Sequence, residues 1–141
     1  MRRVLVAVDG SNHVRRALST AAELAAALDD TLIVVTVDEP GPLKGEVAEF
    51  ARTEDLSRQE VVERIVRSAA EVARAAGVKK IEMDTTSGDP VDGILALAQT
   101  HKADVIVLGA RGLSNLQGLV MGSVSHKVLH LTSLPCLIVR Q

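Results

Sequence analysis

Apolar positions along this chain follow two alternating rhythms. Continuous runs at Val4-Leu5-Val6-Ala7-Val8, Thr31 to Val37 and Val105-Ile106-Val107-Leu108 have the length and β-branched content of strands buried on both faces. Between them, apolar residues recur every three or four positions. From Ser11 or Asn12, either of which makes a good N-cap, Val14, Ala17, Leu18, Ala21, Leu24, Ala25 and Leu28 share one helical face. A second helix is expected to begin between Thr53 and Ser57, where Ser57-x-x-Glu60 forms a capping box. It should run through Val62, Ile65, Val66, Ala69, Val72, Ala73 and Ala76 to a glycine stop at Gly77. Asp89-Pro90, an N-cap followed by proline at the first helical position, opens a third helix with Val91, Ile94, Leu95, Leu97 and Ala98 inward. A fourth runs from Ser123 to about Leu131.

Two further strands differ in character. Lys79 to Thr86 alternates Ile81, Met83 and Thr85 with Lys80, Glu82 and Asp84, which predicts a half-exposed edge strand. Thr132-Ser133-Leu134-Pro135 turns the chain into a last strand, Cys136 to Arg140. Asp38 to Thr53 contains Pro40, Gly41, Pro42 and Gly45 and is predicted as a loop or lid. The alternation of strand and helix gives an α/β fold, a single domain over residues 1–141. It is an open parallel five-stranded sheet with right-handed crossovers and helices on both faces. Ligands of such sheets bind at the carboxyl ends of the strands, beside the topological switch point.

The strongest chemical signal stands at such an end. The run Val105 to Leu108 breaks at Gly109, Gly112 follows across Ala110-Arg111, and Gly122-Ser123 introduces the fourth helix. A helix start offers unpaired N–H groups and the positive end of a macrodipole, and a glycine beside it lets an anion approach the backbone. That combination suits phosphate. Neither G-x-x-x-x-G-K-[ST] nor a G-x-G-x-x-G after the first strand is present.

Composition narrows the classes. Apolar residues make up 47% of the chain but aromatics only 1%, so the core must be built from Ala, Val, Leu and Ile. A net charge of −2 and the lack of stacking rings argue against nucleic acid as a partner. The single Cys136, inside an apolar strand, reads as a buried small hydrophobe, which fits a reducing, cytoplasmic setting. Only five apolar residues separate Arg3 from Asp9, too few for a signal segment, and no run approaches a membrane span. His126 and His130 have the i,i+4 spacing of metal ligands, but Lys127 stands where the metalloprotease motif needs glutamate and no third ligand is evident, so no metal site is assigned. A Ser123 or Ser125, His126 and Asp9 triad lacks its G-x-S-x-G elbow.

The spacing G-x2-G-x9-G-[ST], here Gly109, Gly112, Gly122 and Ser123, resembles the nucleotide-binding signature of the universal stress protein family. The resemblance extends over nearly the whole chain to the final Pro-x-apolar strand, Leu134-Pro135-Cys136-Leu137-Ile138-Val139. It implies the adenine nucleotide alpha hydrolase-like sheet order 3-2-1-4-5, which would set the first and fourth strands side by side. It implies ATP or another adenine nucleotide as ligand, with Mg2+ accompanying the phosphates. Carried over by position, Ala7, Val8 and Asp9 face adenine and ribose, and Val37 offers backbone to adenine. Gly109, Arg111 and Gly112, rooted at Leu108, contact ribose and phosphates; Gly122, Ser123, Val124 and Ser125 hold phosphates.

No lysine follows Gly122-Ser123 and no second carboxylate is evident near it, so binding is expected in preference to turnover, with no catalytic residue assigned. Three function classes stand: a nucleotide-binding regulatory module of stress response, a slow ATPase or nucleotide-transfer enzyme, and a dimerisation module with a degenerate site. A homodimer is expected through the C-terminal strand, whose Cys136-Leu137-Ile138-Val139 edge carries no guarding charge before Arg140, and proline at Val139 should break that pairing.

Overall fold

The computed structural model describes residues 1–110 and 122–141. Five parallel strands form one sheet in the order β3-β2-β1-β4-β5. β1 (Arg3–Ala7) lies at its centre between β2 (Thr31–Asp38) and β4 (Val105–Gly109), while β3 (Lys80–Ser87) and β5 (Cys136–Val139) are the edges. The expected adjacency of the first and fourth strands is therefore present, with Leu5 opposite both Ile33 and Ile106.

Continuous apolar runs are needed because both faces are covered. Val4, Val6, Leu32 and Val34 pack beneath α1 (Arg15–Leu28) and α3 (Arg58–Ala75). Leu5, Ile33, Val35 and Ile106 turn the other way, beneath α4 (Pro90–Thr100) and α5 (Ser123–Leu131). Truncating Leu5, Leu32, Ile33 or Ile106, all fully buried, to alanine should cost about 2–5 kcal/mol. Ala17, Ala21 and Ala25 let α1 lie close on the sheet, and the core contains no aromatic ring.

The helix signals are realised in α3 and α4. Ser57 and Glu60 form the reciprocal capping box, with Glu60 N–H donating to Ser57 Oγ at 3.2 Å. Gly77 takes φ +101° just past the end of α3, a conformation a Cβ would strain. Asp89 accepts the Asp92 N–H at 2.9 Å, with Pro90 at the first helical position.

Several expectations are corrected. The stretch from Asp38 to Thr53 is not all loop: α2 (Gly45–Thr53) forms within it and buries Val47 and Ala51 against Val61. Ser11 makes no side-chain cap, because its hydroxyl is turned to Asp9; a 3-10 turn over Asn12–Val14 leads into α1 instead. Leu24 and Leu28 project from α1 into solvent although they fit its apolar spacing. The last strand ends at Val139, and Cys136 is half-buried, with burial still pushing its thiol pKa up.

On β3 the alternation holds but the roles of its two faces differ from expectation, since Met83 is exposed while Glu82 and Asp84 are engaged. Arg3 grips Glu82 with both terminal guanidinium nitrogens (3.0 and 2.6 Å) and donates from Nε to the His101 carbonyl. The His101 ring meets Asp84 at 2.7 Å. Arg3 N–H donates to Asp104, and Arg2 pairs with the buried Asp30. The bond from Arg3 holds the Glu82 carboxyl below its usual pKa, and the same bond holds the Arg3 guanidinium above its own.

Candidate functional site

The carboxyl ends of β1, β2 and β4 open into a cleft. Ala7, Val8 and Asp9 from the end of β1, Val37 from β2, and Leu108 and Gly109 from β4 all line it. So do Gly122, Ser123, Val124 and Ser125. Arg111 and Gly112 lie outside the described residues.

β1 reaches the cleft because its ladder continues past its last strand residue, Val8 N–H donating to the Val35 carbonyl at 2.9 Å. The chain then turns sharply at Gly10 (φ +80°). Asp9 Oδ1 accepts both the Ser11 N–H at 2.9 Å and the Ser11 hydroxyl at 2.6 Å, which fixes the carboxylate at the mouth of the turn. A Cβ on Gly10 would come within 3.0 Å of Ile65 and Val47, so glycine also lets α2 and α3 close over this corner.

Across the cleft, the ends of the segment between β4 and α5 are tied together. Gly122 N–H donates to the Ala110 carbonyl, and the Ser125 hydroxyl, buried, donates to the Gly109 carbonyl at 2.5 Å. The first intrahelical bond of α5 runs from His126 N–H to the Gly122 carbonyl, so the amides of Ser123, Val124 and Ser125 have no intrahelical acceptor. Gly122 at the N-cap supplies no side-chain cap for them. These donors, with the positive end of the macrodipole, make the face an anion acceptor. The Ser125 hydroxyl proton is committed to the backbone, which leaves its amide as the group to offer an anion.

Sequence reasoning passed over three features of the site. Arg58, the first residue of α3, donates to Asp38 Oδ1 at 2.8 Å and to the carbonyls of Gly41 and Glu39 at 2.6 Å each, fixing the chain that leaves β2 along the rim. Its only sequence signal was a basic residue beside a strong cap. Lys44 lines the cleft from the segment taken as loop. Gly93 lets α4 approach β2, since a Cβ there would stand 2.7 Å from a Val37 methyl; Pro90 and Ile94 thereby reach the cleft.

His126 and His130 stack with ring centroids 5.3 Å apart, and both are exposed. Among the described residues no three His, Cys, Asp or Glu side chains are grouped to hold a metal ion. No helix among them is long and apolar enough to cross a membrane.

A sequence profile described as the universal stress protein family matches residues 1–140. A universal stress protein of Thermus aquaticus is 37% identical over 139 residues, covering 99% of this chain and 98% of its own length. Universal stress protein YxiE of Bacillus subtilis is 36% identical over 146 residues, covering 98% of each. Among solved structures, a universal stress protein in complex with cAMP is 34% identical, covers 99% of this chain and 96% of its own, and superposes with a TM-score of 0.75. By its sequence along nearly its full length and by its sheet order, the chain belongs to the universal stress protein family.

Proposed function

We propose that the protein is an adenine-nucleotide-binding module of stress response, with ATP or another adenine nucleotide in the carboxyl-end cleft. The observation that carries this is the convergence on one cavity of Asp9, the end of β2 and the amides of Ser123, Val124 and Ser125, which have no acceptor within their own helix. The structural relative that holds cAMP, itself an adenine nucleotide, supports it. The enclosed part of the cleft is only about 180 Å3, less than the roughly 300–1,000 Å3 usual for ligand pockets. In this reading the base and sugar enter between Val8, Val37 and Asp9, and the phosphates lie on the open rim over the start of α5. Mg2+ would ride on the phosphates and keep several of its waters, since it rarely takes more than one or two ligands from protein in such sites.

The role is binding with slow or no turnover. Among the described residues no Walker-type lysine is brought onto the α5 amides, and the Asp38 carboxylate is held by Arg58. Calorimetry with ATP, AMP, cAMP and GTP tests the reading. Saturable binding of the adenine nucleotides, lost in Gly122→Val while the variant keeps its circular dichroism, is the expected result; no binding by the wild type overturns it.

We further propose a homodimer through β5, whose outer edge has no neighbouring strand among the described residues. The register changes which proline tests it. Val139 turns its carbonyl to the Ala110 N–H just past β4, so its own N–H faces β4 as well; the outward N–H groups belong to Cys136 and Ile138. Ile138→Pro, not Val139→Pro, should therefore halve the mass seen by light scattering while sparing the sheet.

A further inference from the structure

Behind the cleft lies a second cavity, of about 600 Å3, bounded by α1, α2 and α3. Val8, Val14, Val47, Val61 and Ile65 line both cavities and so stand between them. Leu18, Ala69 and Val72 extend the apolar lining of the outer one, and Phe50 stands among them. Phe50 is the only aromatic residue of the chain, yet it is left 40% exposed. A core built without rings keeps its single ring at this groove.

Two cations share the groove. The Arg64 guanidinium lies 6.0 Å from the Phe50 ring centroid, and Arg15 lines the same cavity. Among the described residues neither guanidinium has a hydrogen bond or a carboxylate partner. The one acid of the lining, Glu46, is engaged through Oε1 with the Asn12 N–H at 2.7 Å. Two guanidinium groups without a carboxylate partner among the described residues, over an apolar floor, complement a ligand with an anionic head and an apolar body. The volume falls within the roughly 300–1,000 Å3 of small-molecule sites.

We propose that this groove binds a small amphipathic carboxylate, its chain against Leu18, Phe50, Ile65 and Val72 and its head on Arg15 and Arg64. The planar guanidinium fork suits a carboxylate, and charge-assisted bonds to it are stronger than bonds between neutral groups. Octanoate is the probe, with 1-octanol as its uncharged counterpart. Titration calorimetry of the wild-type protein should show octanoate saturating one site at least about tenfold tighter than octanol. The double variant Arg15→Gln with Arg64→Gln should erase that difference, and Phe50→Ala should weaken both ligands; all three positions are exposed, so the variants should fold. The proposal is overturned if octanol binds as tightly as octanoate, if the double variant holds octanoate unchanged, or if octanoate binding does not saturate. No nucleotide enters the titration, so its outcome is separate from that of the nucleotide reading.

Discussion

The two ends of this parallel sheet are finished in opposite ways. At the amino end, side chains close the structure on itself: Arg3 joins β1 to Glu82 of β3 and to the carbonyl of His101, His101 meets Asp84, and Arg2 pairs with Asp30. At the carboxyl end, backbone does the shaping, through the turn at Gly10, the tie between Gly122 and Ala110, and the amides that open α5. Charges at the first end are satisfied within the chain. Donors at the second end are held ready in fixed positions with no partner inside their own helix. A parallel sheet gives both outcomes at once, because every strand delivers its carboxyl terminus, and the helix start that follows it, to the same side.

This contrast predicts that stability and nucleotide binding separate by end. Gly122→Val should show the largest effect, lowering ATP affinity about 100-fold or more by calorimetry, which corresponds to about 2.7 kcal/mol. Its unfolding free energy should change by less than about 1 kcal/mol, the scale of an N-cap substitution. Arg3→Ala should do the reverse. Loss of its paired bonds to Glu82 and its bond to His101 should lower stability in urea by about 1–2 kcal/mol, with ATP affinity unchanged.

Arg58→Gln tests whether the rim needs its clamp. Removing the link between Asp38 and the Glu39 and Gly41 carbonyls should weaken adenine nucleotides about fivefold with little loss of stability, because the loop must then be ordered on binding. A stability loss as large as that of Arg3→Ala would place Arg58 with the closed end in kind, if not in position.

The smallest expected effect concerns acid. Glu82 titrates below its ordinary value of 4.5 in the fold because of Arg3. Its contribution is therefore fully present above the unfolded value and is lost as pH falls through the lower, folded one. Glu82→Gln should cost less than about 1 kcal/mol at neutral pH, since the pair is partly exposed. The variant should also lose stability less steeply than wild type below pH 4.5 in urea titrations.

Much of this contrast was legible in the sequence, but unevenly. Local signals carried far: the Ser57 and Glu60 box, Asp89-Pro90 and the Gly77 stop all appear where expected, because caps depend on residues within one turn. Gly109 and Gly122 share one cleft with the end of β1 because β1 and β4 are neighbours, an adjacency that the family resemblance implied and no local signal could fix. What stayed hidden depends on distant partners. Glu82 and Asp84 looked like solvated charges, since nothing local says that Arg3 and His101 will cover them. Arg58 was unremarked because its three acceptors come together only when the chain reverses after β2. α2 was masked by Pro40, Gly41, Pro42 and Gly45, whose breaking signal outweighed the short apolar pattern of Val47 and Ala51.

The central claim, that the carboxyl end is built for the nucleotide and the amino end for stability, is tested most directly by amide chemical shifts. ATP added to uniformly 15N-labelled protein should move the amides of Asp9, Val37, Ser123, Val124 and Ser125 in a saturable way and leave those of Arg3, Glu82, Asp84 and Asp104 in place. Saturable shifts centred on the amino-end residues, or none at the start of α5, would contradict it.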